Sequence, residues 1–236
     1  MDTQTRHALK HNALVDTAQS GMDWLQENKS SVLLFTAVLV AVLVFGIGGI
    51  VLYQQRQDQA QVAFGQAMEA YLTPIAQPST PPQPGVKTFP SIAARAFEAN
   101  TEFLKVADSY GWTDAGRNAE YFAGLTYMDM GKNTQAEQAL HQVVEHSDKN
   151  LAGLAQMALA GLDQQIGHTA DAIQIYQQLI AHPVTMVPVG TAKLALAAIY
   201  EKTNLQQAKQ IYAELKDKDK DTAAGQIATQ KLAQLN

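Results

Sequence analysis

An uncharged apolar stretch of 23 residues constrains this chain more than any other feature. The stretch, SVLLFTAVLVAVLVFGIGGIVLY, covers residues 31–53 and contains no Asp, Glu, Lys or Arg. As an α-helix it would be about 34 Å long, enough to cross the roughly 30 Å hydrocarbon core of a bilayer. A helix buried in a soluble domain would show a polar face with a 3.6-residue period, which this stretch lacks. We therefore predict one transmembrane helix at 31–53.

The position of this stretch favours an uncleaved anchor over a signal peptide. Thirty residues precede it, whereas the apolar core of a signal peptide is about 7–15 residues long and lies close to the N-terminus. Cleavage after the small residues at 46–49 is the alternative. Arg6, Lys10 and Lys29 precede the stretch, and Arg56 alone follows it closely. This basic excess predicts a cytoplasmic N-terminus.

The rest of the chain divides into three parts. Residues 1–30 form the predicted cytoplasmic segment, 54–90 a helical stalk and proline-rich loop, and 91–236 a repeat domain with a C-terminal capping helix. The loop at 76–90 carries five of the eight prolines, which exclude a helix there. A plain connector is favoured, with a proline-rich ligand as the alternative. We expect the 54–75 helix to pair with 91–109 as an irregular first repeat.

Three segments of the repeat domain share one pattern of small and turn residues. The small first-helix residues are Gly124, Ala160 and Ala197, and the small second-helix residues are Ala136, Ala172 and Ala208. The first two segments are related by a constant offset of 36 residues. The small residues predict close approach of two helices in each hairpin. The turn residues Gly131, Gly167 and Asn204 predict a left-handed end to each first helix.

Large residues occupy the remaining shared positions. They are Tyr127 and Tyr200 in the first helices, and Phe103, Leu140, Tyr176 and Tyr212 in the second helices. Asp163 takes the tyrosine position in the middle segment. We therefore expect the middle repeat to pack less well at Asp163 than its neighbours do at Tyr127 and Tyr200.

This pattern resembles the tetratricopeptide repeat over residues 91–215, although the early Trp and most of the terminal Pro residues of that motif are absent. The resemblance implies an α-helical-hairpin solenoid, for which 222–236 would form the terminal cap. The predicted fold class is all-α, with an N-terminal single transmembrane helix followed by a tetratricopeptide-like solenoid.

The layout of the whole chain is similar to that of the YfgM-type ancillary subunits of the bacterial SecYEG translocon. The shared features are a short acidic N-terminal tail, an Asn-Lys pair before the span, one span, a Gln-rich helix and a repeat array. This resemblance implies a single-pass protein of the bacterial inner membrane with its repeat domain in the periplasm. It also implies the translocon, periplasmic chaperones or client polypeptides as partners.

The sequence contains no catalytic or cofactor signature, and we predict a protein that is not an enzyme. There is no cysteine, which excludes a thiolate site. His141 and Glu145 are four residues apart, but no third ligand accompanies them, so we predict no metal or cofactor. The net charge of −5 and the absence of a basic patch argue against nucleic acid. An enzyme with an unrecognised site is the least favoured alternative.

The predicted function is protein–protein interaction through the concave face formed by the first helices. Tyr, Leu and Met are prominent on this face, and Met provides an adaptable apolar surface. We predict an adaptor that links the secretion translocon to periplasmic chaperones or emerging clients. The alternative is a structural envelope scaffold that assembles laterally, as a homo-oligomer, through the span and repeats. The predicted groove residues are Asn118, Tyr121, Leu125, Met128, Asp129, Leu154, Met157, Gln164, Gln165, Leu194, Glu201 and Lys202.

Overall fold

The structure, a computed structural model, describes residues 29–76, 85 and 87–235. The predicted N-terminal segment and most of the proline-rich loop lie outside these residues. Apart from two isolated β-bridges, the regular structure in the described part is helical. The helices are α1 (Lys29–Leu72), α2 (Ile92–Tyr110), α3 (Asp114–Asp129), α4 (Asn133–His146), α5 (Lys149–Ile166), α6 (Thr169–Ala181), α7 (Val189–Thr203), α8 (Leu205–Lys218) and α9 (Ala223–Leu235).

The first helix, α1, has the length and composition of a membrane-spanning helix. It is 44 residues long, and its most apolar window has a mean hydropathy of 2.7 with none of that window buried. Among the described residues, α1 is the one helix that is both long enough and apolar enough to cross a membrane. The helix is continuous from the predicted span to Leu72. These properties are compatible with a single-pass anchor.

The chain divides into two compact units, Met1–Gln55 and Arg56–Asn236. Within the second unit, each helix from α2 to α8 contacts the next helix along the chain. Further contacts join α3 to α5 and α7 to α9. Contacts between successive hairpins are typical of a helical solenoid, in which each repeat is stabilised mainly by its neighbours.

The irregular first hairpin is held by aromatic packing. Phe64 and Tyr71, in the C-terminal part of α1, lie with ring centroids 5.8 and 6.0 Å from Phe103 of α2. Phe122 of α3 stacks on Phe103 at 5.3 Å. This packing confirms the expected pairing of the 54–75 helix with the 91–109 helix. It therefore adds a hairpin before the three that the repeat pattern identifies.

The small residues allow close helix packing, as predicted. A Cβ added at Gly124 would lie 2.8 Å from the Leu140 side chain, which is closer than two carbon atoms can approach without strain. The five alanines at the equivalent positions are fully buried in the protein. They are Ala136, Ala160, Ala172, Ala197 and Ala208.

Two of the three turns follow the prediction and the third does not. Gly131 and Gly167 have φ angles of 70° and 90°, the left-handed conformation that glycine adopts at little cost. The prediction for Asn204 is wrong, because its φ is −156° and its ψ is 84°. Asn204 is the single residue between α7 and α8. Its side chain accepts a hydrogen bond from the Gln207 amide at 3.3 Å, so it serves as an N-cap.

Candidate functional site

The predicted groove residues on α3 are mostly half-buried. Tyr121 and Met128 pack against a buried cluster formed with the next two helices. That cluster consists of Leu140, Val143, Leu151, Ala155 and Leu159. Asn118 and Leu125 are also half-buried, and Asp129 is exposed. The α3 face therefore contributes to the core and retains part of its apolar surface at the solvent boundary.

The groove residues on α5 extend this arrangement to the next hairpin. Leu154 packs against the same cluster as Tyr121 and also against the following one, which it shares with Met157. Gln164 and Gln165 are exposed near the C-terminal end of α5. The structure thus brings Tyr121, Met128 and Leu154 together around one cluster. Met157 continues the apolar contacts toward α7.

The groove residues on α7 belong to a separate cluster. Leu194 packs with Ala197, Ala208 and Tyr212 near the C-terminal end of the solenoid, and Lys202 is exposed. The predicted residues that pack in hydrophobic clusters, namely Tyr121, Met128, Leu154, Met157 and Leu194, therefore divide among three of them. The described structure does not gather them into one compact pocket.

Glu201 makes ionic and hydrogen-bonding contacts within the protein. Its carboxylate accepts a hydrogen bond from the Tyr212 hydroxyl at 2.5 Å and lies 3.0 Å from the Lys231 ammonium. These contacts connect α7, α8 and α9. The Tyr212 hydrogen bond, with Lys231, lowers the pKa of Glu201. Burial and the Glu201 carboxylate raise the pKa of Tyr212. Glu201 therefore stabilises the C-terminal hairpins in addition to any contact with a ligand.

Polar groups surround the α3 face where it meets the first hairpin. The Arg95 guanidinium carbon lies 5.3 Å from the centroid of the Tyr71 ring, a cation–π geometry. Partial desolvation of the Asp129 carboxyl raises its pKa although the residue as a whole is exposed, while the charge of Arg95 opposes that shift. Burial also raises the pKa of Tyr121. The α3 face therefore combines apolar contact area with one cation and one anion at its margin.

A second feature is a cavity of about 210 Å³ between α4, α5 and α6. The side chain of Asp163 is 14% exposed there, and its carboxylate lies 3.7 Å from the His168 Nδ1. Burial and the charge of Asp171 raise the pKa of Asp163, and His168 opposes this shift. The lining residues are Glu137, His141, Leu159, Asp163, His168, Asp171 and Ile175.

Sequence reasoning did not predict this cavity as a site, although one signal pointed to it. Asp163 replaces the tyrosine found at the equivalent positions of the flanking hairpins, and the cavity lies at this position. The sequence paired His141 with Glu145, whereas Glu137, one turn earlier on α4, lines the cavity with His141. Among the described residues, no group of three or more His, Cys, Asp or Glu has an arrangement suited to a metal ion.

An exposed apolar face on α2 is another feature that the sequence prediction omitted. Phe97 is 62% exposed and Leu104, seven residues later, is 39% exposed. Residues seven apart on a helix lie on the same face. Two large side chains exposed on one helix mark a candidate contact surface.

Comparison with known proteins gives one family match. A family model described as a tetratricopeptide repeat-like domain matches residues 22–183, which is more than half of the chain. The matched region includes all of α1 and ends just after α6. No curated protein and no solved structure gives a significant match.

Proposed function

We propose a function from the premise that this chain belongs to the tetratricopeptide repeat-like domain family, whose model matches residues 22–183. Such domains generally mediate protein–protein interactions, and their fold is typically not catalytic. The protein is a membrane-anchored interaction adaptor that binds polypeptide along its first helices. The observation that carries this proposal is the series of half-buried apolar side chains shared by α3 and α5, namely Tyr121, Leu125, Met128, Leu154 and Met157.

The chemistry of this face indicates the class of ligand. Aromatic and methionine side chains at a partly desolvated surface are effective anchors for apolar side chains of a partner. The charged margin, with Asp129 exposed and Arg95 on the adjacent helix, suits a segment that also carries polar groups. The ligand is therefore an exposed or emerging polypeptide segment with apolar anchors. A small molecule is less favoured because the face is not a closed pocket.

The proposed location follows from the anchor. The N-terminal segment lies in the cytoplasm, α1 crosses the bacterial inner membrane, and the repeats lie in the periplasm. The basic residues before the span and the layout shared with YfgM-type proteins support this orientation. The partners proposed on the same basis are the translocon, periplasmic chaperones or client polypeptides. Helix α1 contains both the predicted span at 31–53 and the helical part of the stalk. The proposed segments of the chain end at residues 30, 53 and 90.

Topology is tested with a cysteine at an exposed position. Thr222 is exposed and the chain contains no natural cysteine, so Thr222→Cys provides one reactive site. We expect a membrane-impermeant maleimide to label this variant in intact spheroplasts. A cysteine in the N-terminal segment, Ser20→Cys, is the matched control and should react only after lysis. The opposite labelling pattern would place the repeats in the cytoplasm.

Ligand binding is tested by photo-crosslinking in intact membranes. A benzophenone amino acid at Leu125 reports on the α3 face, and one at Gln142, which is exposed on α4, is the matched control. We expect polypeptide adducts at position 125 that are weak or absent at position 142, identified by mass spectrometry. Equal adducts at both positions would contradict binding along the first helices.

A structural scaffold is the second candidate. The observation in its favour is that Cβ atoms added at Gly46, Gly48 and Gly49 would meet no atom within 4 Å. Open glycine positions in a span permit close helix association in lipid. We expect Gly48→Cys to form a disulfide dimer in membranes if copies associate there, whereas Ile50→Cys, two residues later and on the opposite face of the helix, should not. Absence of a dimer would remove the support for lateral assembly through these glycines.

A further inference from the structure

We propose that the cavity between α4, α5 and α6 binds one cationic side chain, lysine or arginine, of a polypeptide held by the repeats. This inference rests on the proposed function and adds a specificity pocket to it. The pocket differs from the α3 face because two of the three helices that line it, α4 and α6, are second helices of their hairpins. Three independent features support a cationic occupant: the origin of the space, its uncompensated charge and its apolar floor.

The space exists because one residue departs from the repeat pattern. In the last hairpin the equivalent position is Tyr200, and its hydroxyl lies 3.4 Å from the Gln177 side-chain amide. Gln177 is 36 residues after His141, so it occupies the position of His141 one repeat later. The Tyr200 ring and Gln177 therefore contact each other at the positions that Asp163 and His141 occupy beside the cavity. The middle repeat carries a carboxylate where the flanking hairpins carry a tyrosine ring.

The carboxylates that line this space lack a lysine or arginine partner among the described residues. Glu137, Asp163 and Asp171 form no ion pair with a lysine or arginine among the described residues. The basic groups that line the cavity are His141 and His168, and a histidine carries charge only when protonated. Elsewhere in the repeats, Glu214 has both Lys193 at 2.8 Å and Lys218 at 3.1 Å. An external cation would compensate the charge that the protein leaves uncompensated here.

The shape and floor of the cavity suit a long aliphatic side chain with a charged end. Leu159 is 4% exposed, and Ile175 is half-buried on the facing helix. These side chains provide an apolar surface for methylene groups, and the carboxylates of the same lining would pair with the charged end. The volume of about 210 Å³ is large enough for one such side chain. A metal ion is disfavoured because the described ligating groups lack a suitable arrangement.

The test uses the full chain in detergent micelles and a defined probe. Nα-acetyl-lysine methylamide is titrated while the Ile175 methyl group and the His141 and His168 rings are observed by NMR. Nα-acetyl-norleucine methylamide is the uncharged control probe, and magnesium chloride tests an inorganic cation. His146, which is exposed on α4, is the internal control signal. Capped probes are used directly, so the result does not depend on finding the natural partner.

We expect the lysine probe to shift the NMR signals of the cavity residues until they saturate. The affinity for the norleucine probe should be about tenfold lower or weaker still. The His146 signal should not shift with either probe. Asp163→Tyr, which restores the ring of the flanking hairpins, and Asp163→Asn should each abolish the lysine-specific shifts. Asp217→Asn, at an exposed position on α8, should preserve them. Circular dichroism verifies that each variant is folded.

Three results would overturn the inference: equal binding of both probes, lysine binding unchanged in folded Asp163→Asn, or saturation by magnesium with no response to lysine. Failure here with retained crosslinking at Leu125 would remove the pocket and leave the adaptor function intact. Retained lysine binding without crosslinking at Leu125 would contradict the adaptor function and leave the pocket intact.

Discussion

The middle and last hairpins share one pattern of small residues but differ at the large position of their first helices, which is Asp163 in one and Tyr200 in the other. In the middle hairpin, α5 and α6, Asp163 borders a cavity of about 210 Å³. In the last hairpin, α7 and α8, Tyr200 occupies the equivalent position and lies 3.4 Å from Gln177. The alanine pairs fix the spacing of the helices in both hairpins. The residue at the large position therefore differs where the middle hairpin has an open space.

The two hairpins also differ in how their surroundings change the pKa of a carboxyl group, Asp163 in one and Glu201 in the other. Burial and Asp171 raise the pKa of Asp163, so the ionised form is disfavoured in the folded protein. The Tyr212 hydrogen bond, together with Lys231, lowers the pKa of Glu201, so its ionised form is favoured. One carboxylate therefore opposes folding at neutral pH and the other supports it.

The largest effects should fall on the small residues that both hairpins share. Ala172→Leu and Ala208→Leu each place a larger side chain at a fully buried position and should cost roughly 1–3 kcal/mol of stability. Gln174→Leu, at an exposed position on α6, is the control and should change stability little. Urea unfolding of the full chain measures all three variants. Equal stability of Ala172→Leu and Gln174→Leu would show that the repeat register is wrong.

Truncating the side chain at position 200 or 163 should change the stability of the protein by different amounts in the two hairpins. Tyr200→Ala removes a half-buried ring and should destabilise the protein by about 2 kcal/mol, less than a fully buried aromatic would lose. Asp163→Ala removes a disfavoured charge from an existing cavity and should be neutral or stabilising. Thermal unfolding under identical conditions gives the comparison. A larger loss for Asp163→Ala than for Tyr200→Ala would mean that Asp163 is structural.

Filling the cavity should make the middle hairpin resemble its neighbours. Asp163→Tyr adds apolar contact area and removes the disfavoured carboxylate, so we expect a gain of about 1 kcal/mol. Asp163→Asn removes the charge without filling the space and serves as the control for the electrostatic part. The unfolding midpoint in urea measures both effects. A destabilised Asp163→Tyr would show that the ring cannot be accommodated in this hairpin.

The pH dependence of stability should have opposite signs at the two carboxylates. The folded pKa of Asp163 is raised above its ordinary value of 3.8, so its ionisation reduces stability as the pH rises through that range. Asp163→Asn should therefore exceed the natural protein in stability at pH 7, and this advantage should vanish below pH 3.8.

Glu201 behaves in the opposite way because its folded pKa is lowered from 4.5. Its contribution is present above that value and is lost as the pH falls through the folded pKa. Glu201→Gln should be less stable than the natural protein at pH 7, and the difference should shrink in acid. Thermal unfolding from pH 3 to pH 7 measures both variants. The same sign for the two substitutions would contradict the assigned environments.

Local chemistry explains which parts of the structure were accessible from the sequence. Gly131 and Gly167 were predictable because few other residues adopt a left-handed turn, and the alanine positions because close helices admit little else. Asn204 was mispredicted because a one-residue linker makes it cap the following helix. The cavity was not predicted because its walls come from α4, α5 and α6 together. The sequence showed the departure at Asp163 but not the side chains that surround it.

The groove prediction was limited for a different reason. The spacing of Tyr121, Leu125 and Met128 identifies one face of α3, but periodicity alone cannot separate core contacts from ligand contacts. In the structure Tyr121 and Met128 pack on the cluster around Leu140 while remaining half-buried. Their role in binding therefore stays a prediction.

The most direct test of the adaptor function is a comparison of two triple variants in intact membranes. Tyr121, Leu125 and Met128 are changed together to Ser on the α3 face. Gln135, Gln138 and Gln142, which are exposed on α4, are changed to Ser as the matched control. After circular dichroism verifies both folds, the proteins crosslinked to each variant are identified by mass spectrometry. We predict that the α3 variant loses its polypeptide partners and the α4 variant keeps them. An unchanged set of partners in the folded α3 variant would contradict the account and move the binding site to another part of the chain.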